Sequence, residues 1–218
     1  MIVLSLDTAL GACSAAVVRD GQVLAAASEP MLRGHQERLA PLVQEVMQAA
    51  GQPFSALDRV GVTVGPGSFT GLRVGLAFAK GLGLALGKPC VGIGALEALA
   101  ASDPGPGLTI AVIDAKRGQV YLQAFESGVA VMAPDALPVD TAAARLAELW
   151  RGGPLRLIGP GAGLLADAAP GAEVVEQAAP DPAAICALAA RKPASAGARP
   201  LYLRAPDAKL PGGRDLVE

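Results

Sequence analysis

A glycine-rich stretch, Val64–Gly75, constrains the fold of this chain more than any other feature. It reads Val-Gly-Pro-Gly-Ser-Phe-Thr-Gly-Leu-Arg-Val-Gly. The stretch follows a short apolar run and opens a second apolar segment that ends near Gly87. This order predicts a strand, a tight turn and a helix. Ser68 is placed to cap that helix by accepting a hydrogen bond from a free amide of its first turn.

The predicted helix carries a small residue at every fourth position: Gly71, Gly75, Ala79, Gly83 and Gly87. Each glycine in a helix costs about 1 kcal/mol relative to alanine, so close packing must offset that cost. We expect another helix, either the Leu39–Ala50 helix of the same chain or one from a partner, to approach this stripe, and packing on the helix's own sheet is the alternative. Apolar residues lie on more than one face, which indicates burial on two sides and favours a partner subunit on the second.

Composition bounds the class of protein. Hydrophobic residues make up 52% of the 218 residues and aromatic residues only 3%, so the core must consist of Ala, Val and Leu. The net charge is −2 and basic runs are absent, which argues against direct binding of nucleic acid. The N-terminus does not resemble a signal peptide, and we expect no membrane-spanning segment. Three widely spaced cysteines predict buried reduced thiols and a cytoplasmic location.

The order of predicted elements indicates an internal duplication. A Pro- and Gly-rich linker at 102–107 separates an N-terminal lobe, 1–103, from a smaller C-terminal lobe, 104–218. Each lobe opens with an apolar strand that ends in an aspartate, Asp7 in the first and Asp114 in the second. We leave the segment from Ala162 to Pro182 unassigned, and we expect the tail from Pro206 to Glu218 to be poorly ordered.

Paired strand-end aspartates suggest nucleotide chemistry, because actin-like phosphotransferases hold a metal-bound nucleotide between two such carboxylates. The glycines that would admit phosphates are missing after both aspartates. A structural role, in which each carboxylate accepts hydrogen bonds from turn amides, is therefore the preferred interpretation. A phosphotransferase or ATPase is the alternative, and the glycine-rich turn either holds an anion or makes a tight crossing. The residues of this nucleotide or anion site would be Asp7, Thr8, Gly67, Ser68 and Asp114.

His35 is the only histidine in the chain. A two-histidine metal site therefore cannot form, and a peptidase is the weakest of the enzyme interpretations. The residue begins an amphipathic helical pattern, and we expect it at a surface or an interface.

In these features the sequence resembles the TsaB (YeaZ) family, which is related to the TsaD/Kae1 family. The resemblance rests on Val64–Gly75, on Asp7-Thr8, on His35-Gln36-Glu37 and on the run from Asp114 to Tyr121. It covers residues 1–125 well and the remainder weakly. It implies an α/β, actin-like (sugar-kinase-like, ribonuclease H-like) fold with two related lobes of mixed sheets and flanking helices.

The resemblance also implies a function and partners. Members of this family take part in making threonylcarbamoyladenosine beside the anticodon of tRNAs that read codons beginning with A. They bind TsaD, the ATPase TsaE joins the complex, and tRNA is met only through the partner. The contact is a helical bundle, and we expect a homodimer through the same surface when TsaD is absent. The partner-binding residues would be His35, Leu39, Leu42, Val43, Val46, Met47, Gly71, Leu72, Gly75, Leu76, Ala79, Leu82 and Gly83.

One departure from the TsaD pattern indicates a non-catalytic subunit. TsaD carries two metal-binding histidines spaced as H-x-x-x-H after the strand that follows the long helix. Ala95 and Leu99 stand at the corresponding positions, and neither side chain can bind a metal. We therefore expect no catalytic residue, no metal and no resident cofactor in this chain, although ATP and magnesium at the shared interface remain an open alternative.

Overall fold

The structure is a computed structural model, and it describes residues 1–204. The first of its two sheets has five strands in the order β3-β2-β1-β4-β5. β1 and β3 pair antiparallel with β2, whereas β4 pairs parallel with β1 and with β5. The strands are β1 Ile2–Asp7, β2 Ala12–Arg19, β3 Gln22–Pro30, β4 Arg59–Gly65 and β5 Cys90–Gly94.

The second sheet repeats the opening of the first, with an antiparallel β6–β7 pair and a parallel neighbour beside β6. Its order is β11-β10-β6-β7-β8, and β9 also pairs with β7. The strands are β6 Leu108–Lys116, β7 Gln119–Glu126, β8 Val129–Ala130, β9 Asp135–Pro138, β10 Leu155–Ile158 and β11 Glu173–Val175. The duplication predicted from sequence is therefore visible in the matching positions of β1 and β6.

Within residues 1–204, five α-helices cover the two sheets. α1 and α2 share one face of the first sheet, α5 covers its other face, and α3 lies between the sheets. α4 packs on the remaining face of the second sheet. The helices are α1 His35–Ala49, α2 Phe69–Leu86, α3 Ala95–Ser102, α4 Val139–Leu149 and α5 Pro182–Arg191, and two 3₁₀ turns span Phe54–Ala56 and Ala162–Ala168.

The predicted elements are present, with a few differences. α1 begins at His35 and contains Pro41 in its second turn. The unassigned segment from Ala162 to Pro182 holds a 3₁₀ turn and the short strand β11. Strands β8 and β9 were missed because they are only two and four residues long. The tail from Pro206 to Glu218 lies outside the described residues.

Helix α5 packs on the first sheet, although the predicted boundary assigns it to the C-terminal lobe. The Arg59 guanidinium donates to the carbonyl oxygens of Ala189 and Lys192 at 2.8 Å each, which satisfies acceptors at the end of the helix. At the other end of the helix, the Ser5 hydroxyl donates to the Pro182 carbonyl at 2.6 Å. The first lobe therefore includes residues from both ends of the chain.

The residues after α5, 193–204, form what we call the C-terminal strap. The Gly92 amide donates to the Ala196 carbonyl at 3.2 Å, which covers the outer edge of β5. The Leu201 amide then donates to the Val64 carbonyl at 2.7 Å, at the end of β4. Finally, Arg204 donates to the Ala115 carbonyl of the second lobe at 2.9 Å. The strap thus connects the edge of one sheet to the other lobe.

The glycine stripe of α2 faces its own sheet, so our expectation of an approaching helix was wrong and the alternative is confirmed. A Cβ on Gly71 would lie 2.0 Å from the Thr8 carbonyl oxygen, and one on Gly75 would lie 2.6 Å from the Thr8 hydroxyl. A Cβ on Gly83 would meet the Lys88 carbonyl oxygen at 2.9 Å. The glycines let the helix lie against the end of β1, because a larger side chain would hold the two apart.

By length and composition alone, α2 could span a membrane, contrary to the expectation from sequence. In the structure 33% of this 18-residue helix is buried, and its buried side packs on the first sheet. The helix is therefore part of the packed core of its lobe, and Phe69, Ala77 and Leu84 are exposed on its outer side together with Arg73 and Lys80.

The three cysteines are unpaired. Burial raises the pKa of Cys13 to about 11 and that of Cys186 to about 12. Cys90 is only half-buried, so the expectation of buried reduced thiols holds fully for Cys13 and Cys186.

We predict opposite effects of alanine at two glycines of α2. Gly71→Ala should lower the free energy of unfolding by about 1–3 kcal/mol or more, since its Cβ meets backbone at 2.0 Å. Gly81→Ala should raise it by about 0.5–1 kcal/mol, because a Cβ there meets nothing within 4 Å. Denaturant unfolding of both variants checks this, and equal effects at the two positions would contradict the assigned packing.

Candidate functional site

The two strand-end aspartates make the same local contact. Asp7 Oδ1 accepts from the Ala9 amide at 3.0 Å, and Asp114 Oδ1 accepts from the Lys116 amide at 2.7 Å. Each carboxylate therefore closes a turn two residues further along the chain, which is the structural role preferred from sequence.

Asp7 and Thr8 are buried and therefore not accessible to a ligand from solvent. Asp7 is 0% exposed and Thr8 is 1% exposed. Burial raises the pKa of Asp7, partly opposed by a hydrogen bond from the Thr63 hydroxyl at 2.5 Å. The Thr8 hydroxyl is used within the chain, since it donates to the Gly71 carbonyl at 2.7 Å. These two side chains cannot reach a nucleotide without a rearrangement of the sheet end.

Asp114 sits in a different environment from its counterpart. Its side chain is 30% exposed and pairs with the Lys116 ammonium at 2.6 Å. The hydrogen bond from Lys116 lowers the pKa of Asp114, whereas burial raises that of Asp7. The sequence-predicted pair is therefore divided into one buried carboxyl group and one partly exposed carboxylate bound to a lysine.

The glycine-rich turn is closed by the chain's own atoms. The Ser68 amide donates to the Ala9 carbonyl at 2.8 Å, and Ser68 Oγ accepts from the Gly71 amide at 3.2 Å. A Cβ on Gly67 would lie 2.3 Å from the Ala9 carbonyl oxygen, and one on Gly65 would lie 2.7 Å from that of Leu201. The turn is held between the β1–β2 connection and the C-terminal strap. Of the two open interpretations, the geometry favours the tight crossing.

Burial also corrects the predicted set of partner-binding residues. Twelve of its positions are buried within this chain and hold α1 and α2 on the first sheet, and Leu82 is partly buried. The buried ones are His35, Leu39, Leu42, Val43, Val46, Met47, Gly71, Leu72, Gly75, Leu76, Ala79 and Gly83. The regular apolar spacing identified the faces of α1 and α2 that point toward the sheet. Residues that pack in a core produce a stronger helical periodicity than residues at a partner interface.

The outward faces of α1 and α2 form what we call the α1–α2 groove. It encloses about 560 Å³, and residues of both helices line it. Phe69 is 43% exposed, and the Arg73 guanidinium carbon lies 3.7 Å from the centre of its ring. Ala77 and Phe78 continue the lining, and further along the same helix Leu84 is 86% exposed. The four-residue spacing of Phe69, Arg73 and Ala77, opposite the glycine stripe, was the signal that the sequence reasoning missed.

The two positions that correspond to the metal-binding histidines of TsaD lie inside the molecule. Ala95 and Leu99 are both 0% exposed on α3, between the two sheets. Within residues 1–204, no three His, Cys, Asp or Glu side chains gather in a group that could hold a metal ion. Ala95 and Leu99 themselves offer no metal ligand at these two positions.

We predict that Asp7→Asn becomes relatively more stabilising as pH rises. The folded state holds the pKa of Asp7 above its ordinary value of 3.8, so folding favours the protonated form. That contribution is present below about pH 4 and is lost as pH rises through the folded pKa. Asparagine stays neutral, so the difference in unfolding free energy, variant minus wild type, should grow between pH 4 and pH 8.

Asp114→Asn is the matched control with the opposite sign. The pKa of Asp114 is lowered, so its stabilising contribution to the wild type is complete above about pH 4 and is lost as pH falls through the folded pKa. Relative to the wild type, the variant should therefore become less stable as pH rises toward about pH 4 and show no further trend above it. The effect should be small, because the group is partly exposed to solvent. Denaturant titrations at a series of pH values measure both; the same trend for both variants would contradict the assignment.

Comparison with known proteins gives a consistent family. The family model described as "TsaD: tRNA N6-adenosine threonylcarbamoyltransferase" matches residues 28–149. A Mycobacterium tuberculosis protein described as uncharacterized is 36% identical over 225 residues, covering 95% of this chain and 93% of the relative. The Escherichia coli tRNA threonylcarbamoyladenosine biosynthesis protein TsaB is 36% identical over 129 residues, covering 58% of this chain and 55% of that protein.

The structural comparison agrees over nearly the whole chain. The solved structure of YeaZ from Pseudomonas aeruginosa superposes with a TM-score of 0.78 and 30% sequence identity, covering 93% of this chain and 99% of that one. The mixed α/β fold with two duplicated lobes is the actin-like fold expected from the resemblance. The motifs, the fold and these relatives together show that the chain belongs to the TsaB (YeaZ) family.

Proposed function

We propose that this chain is a non-catalytic subunit in the formation of threonylcarbamoyladenosine on tRNA, and that it binds and supports a TsaD transferase. The proposal rests on one observation above the others: the outer side of the long apolar helix α2 leaves Phe69, Ala77 and Leu84 exposed. A large exposed apolar surface on a folded chain is typical of a protein interface. The α1–α2 groove provides that surface.

The chemistry of the groove suits another helix pair. Small and aromatic side chains, Ala77 and Phe78, lie beside each other on α2, and Gln36 of α1 forms part of the lining. Such a row accepts the ridge of a second helix. Arg73 adds a planar cation at one end, a residue type that is enriched in interfaces. We propose a helical bundle with TsaD here, with TsaE joining the complex, and a homodimer through the same groove when TsaD is absent.

The non-catalytic role rests on the missing donors. The side chains of Ala95 and Leu99 cannot bind a transferase metal, and Asp7 is fully buried at the end of the sheet. We propose that this chain holds no resident metal or nucleotide at Asp7 and Asp114. We also propose that it meets tRNA only through its partner, and that it works in the cytoplasm without a membrane anchor. The names of the TsaB relatives of E. coli and Bacillus subtilis support the pathway.

We predict that Ala77→Glu weakens binding to the cognate TsaD by at least about tenfold. The substitution places a charge in the centre of the α1–α2 groove, where desolvation of an unpaired carboxylate opposes association. Ala77 is exposed in the isolated chain, so the fold should be unaffected. Co-purification and isothermal titration calorimetry with TsaD give the readout.

Ala144→Glu is the matched control. It introduces the same charge at an exposed helical alanine of α4, in the other lobe, and should leave TsaD binding within about twofold. Analytical ultracentrifugation of the two variants alone should show a monomer for Ala77→Glu and a dimer for Ala144→Glu. Full TsaD binding by a folded Ala77→Glu variant would refute the assigned surface.

A further inference from the structure

A cavity that we call the rear cavity lies at the opposite end of β6 from Asp114. Helices α3 and α5, the linker between the lobes and the β6–β7 pair form its walls. It encloses about 780 Å³, within the size range of small-molecule sites. Thr109 lines it near the start of β6, and about 17 Å of extended strand separates this residue from Asp114. The rear cavity is therefore distinct from the region of the strand-end aspartates.

Two polar side chains of the rear cavity lack partners within the chain. Thr109 is 5% exposed, and its hydroxyl makes no hydrogen bond to any residue from 1 to 204. The half-buried Gln123 amide likewise has no side-chain partner among these residues. Thr109 pairs with Phe125 and Gln123 pairs with Ala111, so the two polar side chains are diagonal neighbours on one face of the sheet. A buried hydroxyl without a partner is costly unless a molecule in the cavity bonds to it.

The charges of the rear cavity favour an anionic group. Two charged residues line it, Glu97 and Arg191. The Glu97 carboxylate is already paired with the Lys192 ammonium at 2.6 Å. Arg191, in the last turn of α5, is exposed and forms no ion pair within the described part of the chain. A planar carboxylate can accept two parallel hydrogen bonds from such a guanidinium.

Much of the remaining lining is small and apolar. Ala100 and Ala101 come from α3, Ala184 and Leu188 come from α5, and Phe125 comes from β7. These side chains leave room for a compact apolar group and remove its surface from water. The rear cavity therefore combines one cation, two adjacent hydrogen-bonding groups and an apolar wall.

We propose that the rear cavity binds a small N-acylated amino acid or a molecule with the same groups. Its carboxylate binds Arg191, its amide exchanges hydrogen bonds with Thr109 and Gln123, and its acyl group packs against Phe125. An amide supplies both a donor and an acceptor, which a hydroxyl and a side-chain amide can both use. This inference is independent of the proposed function, because none of these residues lines the α1–α2 groove.

Hippurate (N-benzoylglycine) is the probe, and its uncharged carboxamide is the comparator. Isothermal titration calorimetry of the full chain should show saturable binding of hippurate. The carboxamide should bind about tenfold more weakly, which is the usual loss when a charge-assisted hydrogen bond is removed. Arg191→Gln should weaken hippurate binding by the same factor and leave carboxamide binding unchanged, since the comparator has no charge for Arg191 to hold.

Thr109→Val removes the unpartnered hydroxyl and keeps the shape of the side chain. The variant should bind hippurate about threefold more weakly, since one hydrogen bond to the ligand is lost. Its free energy of unfolding should not fall, because the hydroxyl has no partner in the described chain to lose. A purely structural role of Thr109 would give the reverse, a less stable protein with unchanged hippurate binding.

Arg151→Gln is the matched control for Arg191→Gln. Arg151 is also exposed and without an ion pair among residues 1–204, and it does not line the rear cavity. This variant should leave hippurate binding within about twofold, and thermal unfolding should show that all three variants are folded. Absence of saturable hippurate binding would overturn the proposal. So would equal affinity for hippurate and its carboxamide, or hippurate binding that Arg191→Gln and Thr109→Val both leave unchanged.

Discussion

Close contact between two turns determines how the first lobe is assembled. The Ser68 amide binds the Ala9 carbonyl, and the Thr8 hydroxyl binds the Gly71 carbonyl, so the start of α2 is joined to the end of β1. Only glycine at positions 67 and 71 permits this approach, because a Cβ at either would overlap backbone oxygen. The signature stretch of the family thus acts first on its own chain, and the orientation of α2 follows from it.

With its inner face fixed in this way, α2 has two chemically distinct sides. Small residues face the sheet and allow contact at backbone distance, whereas Phe69, Ala77 and Leu84 remain accessible. An apolar outer side is costly to leave in water, which is why we assign it to a partner. The contact between the two turns thus fixes the inner side of α2 and leaves its outer side exposed.

Sequence alone predicted the principal elements because the apolar periodicity and the glycine stops are strong. It also placed Asp7 and Asp114 at matching strand ends. It could not identify which face of a helix points inward, since α1 and α2 each meet the sheet along their most regular apolar row, and that row was first assigned to a partner. The return of α5 to the first sheet was equally hidden, because it depends on contacts such as Arg59 with Ala189, between residues far apart in the chain.

The position of α5 has a consequence for synthesis on the ribosome. One face of the first sheet, including Val3, Ala16 and Ile93, is covered by a helix that begins at Pro182. During translation this face stays without its cover until α5 has been made. We therefore expect the first sheet to complete its packing only after these late, long-range contacts form.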